Sequence, residues 1–225
     1  MLLHALILAT HGSQVLRPSL HLNESYSYQI DSVERDFEGS SNKISRTISQ
    51  GMPVQVTAVK SQGGITSVRV VTGPLIVRGR SVGRSKTNSF EVDMTNAWNG
   101  KPFTLVGVIF PTGGAKMGQT WTAPFRGSPP LNAGLTAIYR LMNTASQGGQ
   151  KVALLSVDVK GDGSCRTRGG GQLLVGLADG IVRSGKLQFD IAYMRPGSGK
   201  ALVVNSHDGL EYTIKPLTTR LPLGM

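Results

Sequence analysis

Leu187-Gln188-Phe189-Asp190-Ile191-Ala192-Tyr193 places an apolar side chain on every second residue. That is the period of a β-strand with one buried face and one wet face. The pattern recurs at Tyr26–Ile30, Val54–Ala58, Val68–Val70, Val152–Val159 and Leu210–Ile214, and glycine-rich turns separate the segments. Ser61-Gln62-Gly63-Gly64 and Ala178-Asp179-Gly180 are hairpin turns by composition, because glycine supplies the positive φ angles that tight connections need. Helical periodicity competes only at 131–146. There Leu131, Leu135, Ile138 and Met142 fit a helix face, while Leu135, Ala137, Tyr139 and Leu141 fit a strand face. The Gly148-Gly149 step into the clear strand at Val152 selects the strand. The expected fold is all-β: an antiparallel curved sheet or half-barrel, with two related half-sheets as a finer expectation.

The chain has 225 residues, 39% apolar and 16% charged, with 29 Gly and 11 Pro. Alternation throughout argues against disorder, and the glycines follow no collagen period. The formal net charge is +11, a field that attracts polyanions such as nucleic acid, anionic headgroups or acidic envelope polymers. Cys165 is the only cysteine, so no disulfide forms within the chain, and it has no catalytic partner by spacing.

Residues 1–12 have the form of a compact secretory signal: no charged side chain, an apolar run over Leu2–Ala9, and small residues near Thr10-His11-Gly12. The run is shorter than the roughly 20 residues a spanning helix needs. Residues 13–225 then form a single β domain, with a pseudo-repeat boundary near 111–130. An extracytoplasmic location, whether periplasmic, cell-surface or secreted, follows from that signal. The stretch 78–102 and the proline-bearing stretch 122–130 are expected to be loops, as is the glycine-rich run after Arg166.

Gly79-Arg80-Ser81-Val82-Gly83 matches a G-x-S-x-G nucleophile elbow, and His207 follows in the chain order of a serine hydrolase. The helix that such an elbow requires is missing from the pattern. Gly180–Lys186 has phosphate-loop spacing, but Leu187 replaces the magnesium-binding hydroxyl and a strand follows. Asp158–Gly163 begins like a calcium loop, yet Lys160 occupies a ligand position. No metal site and no cofactor are expected. Arg78, Arg80, Arg84 and Lys86, with Arg166 and Arg168, are candidates for polyanion contact. Aromatics are 6% of the chain and absent from these runs, which disfavours nucleic acid, since stacking platforms interleave them.

Phe110-Pro111 followed by Lys116-Met117-Gly118-Gln119-Thr120-Trp121, and the strand Ser184-Gly185-Lys186-Leu187-Gln188-Phe189-Asp190, resemble uncharacterised secreted β-sheet proteins of bacteria. The resemblance implies a curved antiparallel sheet, export and no established catalytic residues. A curved sheet offers a concave face, the usual place for a ligand. Tyr26, Tyr28, Phe189, Ile191 and Tyr193 are the candidates to line or fill it. The leading expectation is an exported, non-enzymatic binding or envelope-associated protein, with an apolar ligand or an anionic envelope polymer as partner. The alternatives are a serine hydrolase using Ser81 and His207, and a polyanion binder using the basic runs.

Overall fold

A computed structural model describes residues 22–23, 25–39, 41–92, 98–99, 107–111, 113–125, 131, 134–147, 150–161, 165–177, 179–197 and 202–217. The expected signal at 1–12 lies outside these residues. Among those described there is no helix, and none therefore long and apolar enough to cross a membrane. The strands are β1 (Ser25–Phe37), β2 (Ile44–Gln62), β3 (Ile65–Thr72), β4 (Leu75–Val77), β5 (Arg80–Val82), β6 (Lys86–Val92) and β7 (Trp98–Asn99) in the first half. The second half contains β8 (Thr120–Phe125), β9 (Leu135–Gln147), β10 (Gln150–Gly161), β11 (Cys165–Gly176), β12 (Val182–Pro196) and β13 (Leu202–Pro216).

All thirteen join one antiparallel sheet, curved and open, in the order β7-β6-β3-β2-β1-β13-β12-β11-β10-β9-β8, with β4 and β5 attached beside β2. The all-β expectation holds. Each half of the chain builds one wing, and β1 pairs with β13 at the seam, as in Ile30 opposite Ile214. Hairpin turns follow the glycine signals: Gly63 and Gly64 both have positive φ, which matches the twist of the flanking strands.

Several stretches expected to be loops are strands instead. Within 78–102 lie β5, β6 and β7: β5 is wholly exposed and β6 reaches the core only at its end, through Phe90 and Val92, so pairing at the sheet's margin rather than an alternating buried face makes them strands. Residues 120–125 form β8 despite Pro124. Trp121, Ala123 and Phe125 point inward, and proline is tolerated on an edge strand, where one side needs no donor. The basic glycine run 166–171 lies inside β11, with Thr167–Gly171 paired on both sides and Arg166 on the β12 side. His207-Asp208-Gly209, which reads as a turn, is continuous with β13, and the irregularity sits at Tyr193/Met194.

Alternation buries one face. Tyr28 and Ile30 of β1, Val54 and Val56 of β2, Leu187, Phe189 and Ile191 of β12, and Leu210, Tyr212 and Ile214 of β13 form a single cluster. The degree of curl follows from the aromatic contacts. In a flat sheet Phe125 on β8 and Phe189 on β12 would be four strand spacings apart, about 19 Å. Their ring centroids are 5.7 Å apart, and Phe189 meets Tyr212 edge-on at 6.0 Å. The sheet is therefore rolled tightly over its own side chains.

The connection between the wings passes over this inner face. Val108, Phe110 and Ala115 are buried in the core, the Val108 amide donates to the Gly180 carbonyl, and Gly107 bridges Ile181. Trp121 donates its indole N–H to the Ile109 carbonyl at 2.8 Å and stacks between Phe110 and Tyr139. The Phe-Pro and Lys-x-Gly-x-x-Trp residues thus have a structural role. They turn the chain, with Gly118 at positive φ, and lock the crossover into the core.

Candidate functional site

The five inner-face candidates divide into two groups. Tyr28, Phe189 and Ile191 are buried in the core, and Tyr26 and Tyr193 pack against it while partly exposed. The face is filled by the protein's own side chains, with Tyr28, Tyr139, Tyr212 and Phe125 the largest of those fully buried. The Tyr28 phenol is buried, and among the described residues it has no hydrogen-bond partner. Burial pushes its pKa well up, and the nearby Arg183 charge only partly opposes that. Burial likewise pushes the Tyr139 phenol upward.

A buried ion pair closes one end of the core. Asp179 is 1% exposed in the β11–β12 turn, and one carboxylate oxygen accepts the Ile181 amide at 2.8 Å. Its other oxygen accepts a hydrogen bond from Arg183 Nη2. The Arg183 guanidinium lies 3.6 Å over the Tyr26 ring, a cation–π contact that spans from β12 to β1. Gly176 makes this possible: a Cβ there would stand 2.5 Å from Asp179 Oδ1 and 2.7 Å from Arg183 Nη2. The sequence reading finds the turn at Asp179 but not the pair.

An acidic rim, also missed, lies further along the same face. Glu34 and Asp36 are two residues apart on β1, and Asp208 is directly opposite Asp36 on β13. Their ligand oxygens all lie within 4.8 Å of one another. Three carboxylates this close repel, and the fold answers in two ways. Arg46 approaches Asp36 at 3.9 Å. Glu34 is held above its ordinary pKa by burial first and then by the charges of Asp36 and Asp208. Asp208 also accepts a hydrogen bond from Tyr193, whose phenol is pushed up by burial and by that bond. The Glu-x-Asp alternation in β1 is the only sequence signal for this cluster, since Asp208 joins it solely through the β1–β13 register.

Because the folded state raises the Glu34 pKa, it binds that proton more tightly than the unfolded chain. The resulting destabilisation is present in full above the raised pKa and disappears as pH falls below 4.5, the ordinary value. Glu34→Gln is therefore expected to raise the thermal midpoint at pH 7, by about half a kcal/mol of stability for so exposed a group. The gain should shrink toward zero near the ordinary value, which parallel melts at two pH values would read.

Ser81 and His207 are not brought together. Ser81 lies on the exposed strand β5 opposite Ile76, not on a strand–turn–helix elbow. His207 is on β13, stacked on Phe37 at 4.4 Å. From Ser81 the sheet passes through Ile76, Gly51 and Asp31 before reaching β13 at Thr213. Four strand-to-strand steps therefore separate Ser81 from the strand that carries His207, and His207 lies six residues further along it. The cationic candidates also separate. Arg78, Arg80, Arg84 and Lys86 are exposed on and just after the β4–β5 hairpin, while Arg166 and Arg168 lie on β11 in the opposite wing. Arg168 Nη1 donates to the carbonyls of Gly161 and Thr167. Cys165 is buried on the inner face opposite Tyr193. A scan against protein-family models gives no match for this chain, and a comparison with curated proteins gives none either.

Proposed function

We propose that this chain is an exported, envelope-associated binding module that makes its contacts through its outer surface and carries out no catalysis. The observation that carries the reading is the occupied inner face, with Tyr28, Phe125, Tyr139, Ile191 and Tyr212 each at 1% exposure or less. Among the described residues, these side chains occupy the inner face that an apolar ligand would use, so recognition falls to exposed side chains. The net charge of +11 favours an anionic polymer or surface of the envelope as the partner. The apolar run at the N-terminus and the resemblance to secreted β-sheet proteins support an extracytoplasmic location.

Two assays test this. Expressed in a bacterial host, the protein should fractionate with the envelope and be released by high salt; recovery in the cytosolic fraction would overturn the reading. Purified wild type and Ser81→Ala should show the same absence of turnover on short-chain p-nitrophenyl esters. Turnover that disappears with Ser81→Ala would establish a hydrolase instead.

A further inference from the structure

The β4–β5 hairpin is an exposed apolar element without a core of its own. Three residues pair with three, Leu75 opposite Val82, Ile76 opposite Ser81 and Val77 opposite Arg80. So short a ribbon cannot bury its own side chains. Leu75, Ile76 and Val82 are 39%, 38% and 52% exposed. By strand alternation Leu75, Val77, Arg80 and Val82 share one face. Among the described residues, the hairpin pairs with the rest of the sheet only through β2, at Gln50 and Gly51.

Its charge is one-sided. Arg78 and Arg80 stand at the turn, Arg84 and Lys86 just beyond it, and all four are exposed. The whole stretch from 39 to 90 contains eight Lys and Arg and no Asp or Glu. The turn itself is unusual, since Arg78 takes φ 51 and Gly79 φ 76. Asn, Asp or Gly is the customary residue at the first of these positions, and arginine there is held in a sparsely used conformation.

We propose that this hairpin docks onto an anionic lipid surface. It would lie in the headgroup region with Leu75, Val77 and Val82 against the acyl boundary. Arg80 would snorkel upward, and Arg78, Arg84 and Lys86 would meet lipid phosphates. The charge complementarity selects an anionic partner. The apolar side chains interleaved with the cations select lipid over nucleic acid or acidic polysaccharide, which offer nothing apolar to cover Leu75 and Val82. The inference rests on the envelope reading and names the partner of that surface.

The test uses the full chain and vesicles of phosphatidylcholine with or without about a third phosphatidylglycerol. Co-sedimentation should occur only with the anionic vesicles and fall steeply with salt. Each cation contributes about fivefold, so neutralising all four as R78Q/R80Q/R84Q/K86Q should weaken binding by nearly three orders of magnitude, about 600-fold. Leu75→Ser with Val82→Ser should weaken it about tenfold with an unchanged melting curve, because these side chains are exposed. A polarity-sensitive dye on Val82→Cys, in a chain with Cys165→Ser, should shift to the blue on anionic vesicles alone. Equal binding to both vesicle types would overturn the proposal. So would binding that ignores Leu75→Ser/Val82→Ser while heparin competes fully, which would identify a polyanion surface. Envelope fractionation without any vesicle binding would overturn this inference and leave the envelope reading standing. Vesicle binding by a protein recovered from the cytosol would do the reverse.

Discussion

Replacing Gly170 or Gly171 by alanine is expected to destabilise the fold severely. A Cβ at Gly170 would stand 2.0 Å from the Val157 carbonyl oxygen, and one at Gly171 would stand 2.1 Å from that of Lys186. Both obstacles are backbone atoms of paired strands, so neither can rotate away as a side chain could. The backbone angles add to the cost, since φ is 156 at Gly170 and 154 at Gly171, a region used almost only by glycine. Moving β10 or β12 aside would break ladder hydrogen bonds on both flanks of β11. A loss of about 4 kcal/mol or more is expected, a large part of the 5–15 kcal/mol typical of a domain. Gly113→Ala is the control, with nothing within 4 Å of its Cβ, and should be neutral. Urea denaturation reads both. A Gly171→Ala variant within about 1 kcal/mol of wild type would show that the sheet does not approach itself this closely.

Asp179→Ala should be nearly as damaging, at about 3–5 kcal/mol, because it leaves the largely buried Arg183 guanidinium without its counter-charge. It also leaves the buried Ile181 amide without its side-chain acceptor. Arg183→Met removes the charge and keeps much of the stem that covers Tyr26. The double variant should therefore recover part of the loss, giving a coupling of about 2 kcal/mol in a double-mutant cycle. Additive effects would mean that the two side chains act independently and that the pair does not close this end of the core.

These two sites show what was legible in the sequence. Alternation at Leu187–Tyr193 reveals a strand directly, because each apolar residue reports its own burial. Gly169–Gly171 reads as a loop for the opposite reason: glycine has no side chain to alternate, and the inward pattern resumes only at Leu173 and Val175. Thr120–Phe125 is hidden by Pro124, whose acceptability depends on lying at a sheet edge, a property of the whole topology. The polar stretch 78–89 becomes strand through pairing with neighbours, and burial begins only at Phe90 and Val92. The candidate sites follow the same rule. The basic hairpin is local and was visible as Arg78–Lys86. Glu34–Asp36 and Asp179–Arg183 are each local, but Asp208 joins the acidic rim and Tyr26 joins Arg183 only through the pairing of distant strands, which no spacing along the chain encodes.

The central claim is that the rolled sheet is occupied by its own core, so that partners meet the outer surface. Crystals of the full chain pressurised with xenon test this most directly, because xenon enters dry apolar cavities of about 150 Å³. The expected result is no xenon site among Tyr28, Phe125, Tyr139, Phe189 and Tyr212, the side chains that occupy the inner face. Ordered xenon among those rings would contradict the claim and reinstate the inner face as a place for an apolar ligand.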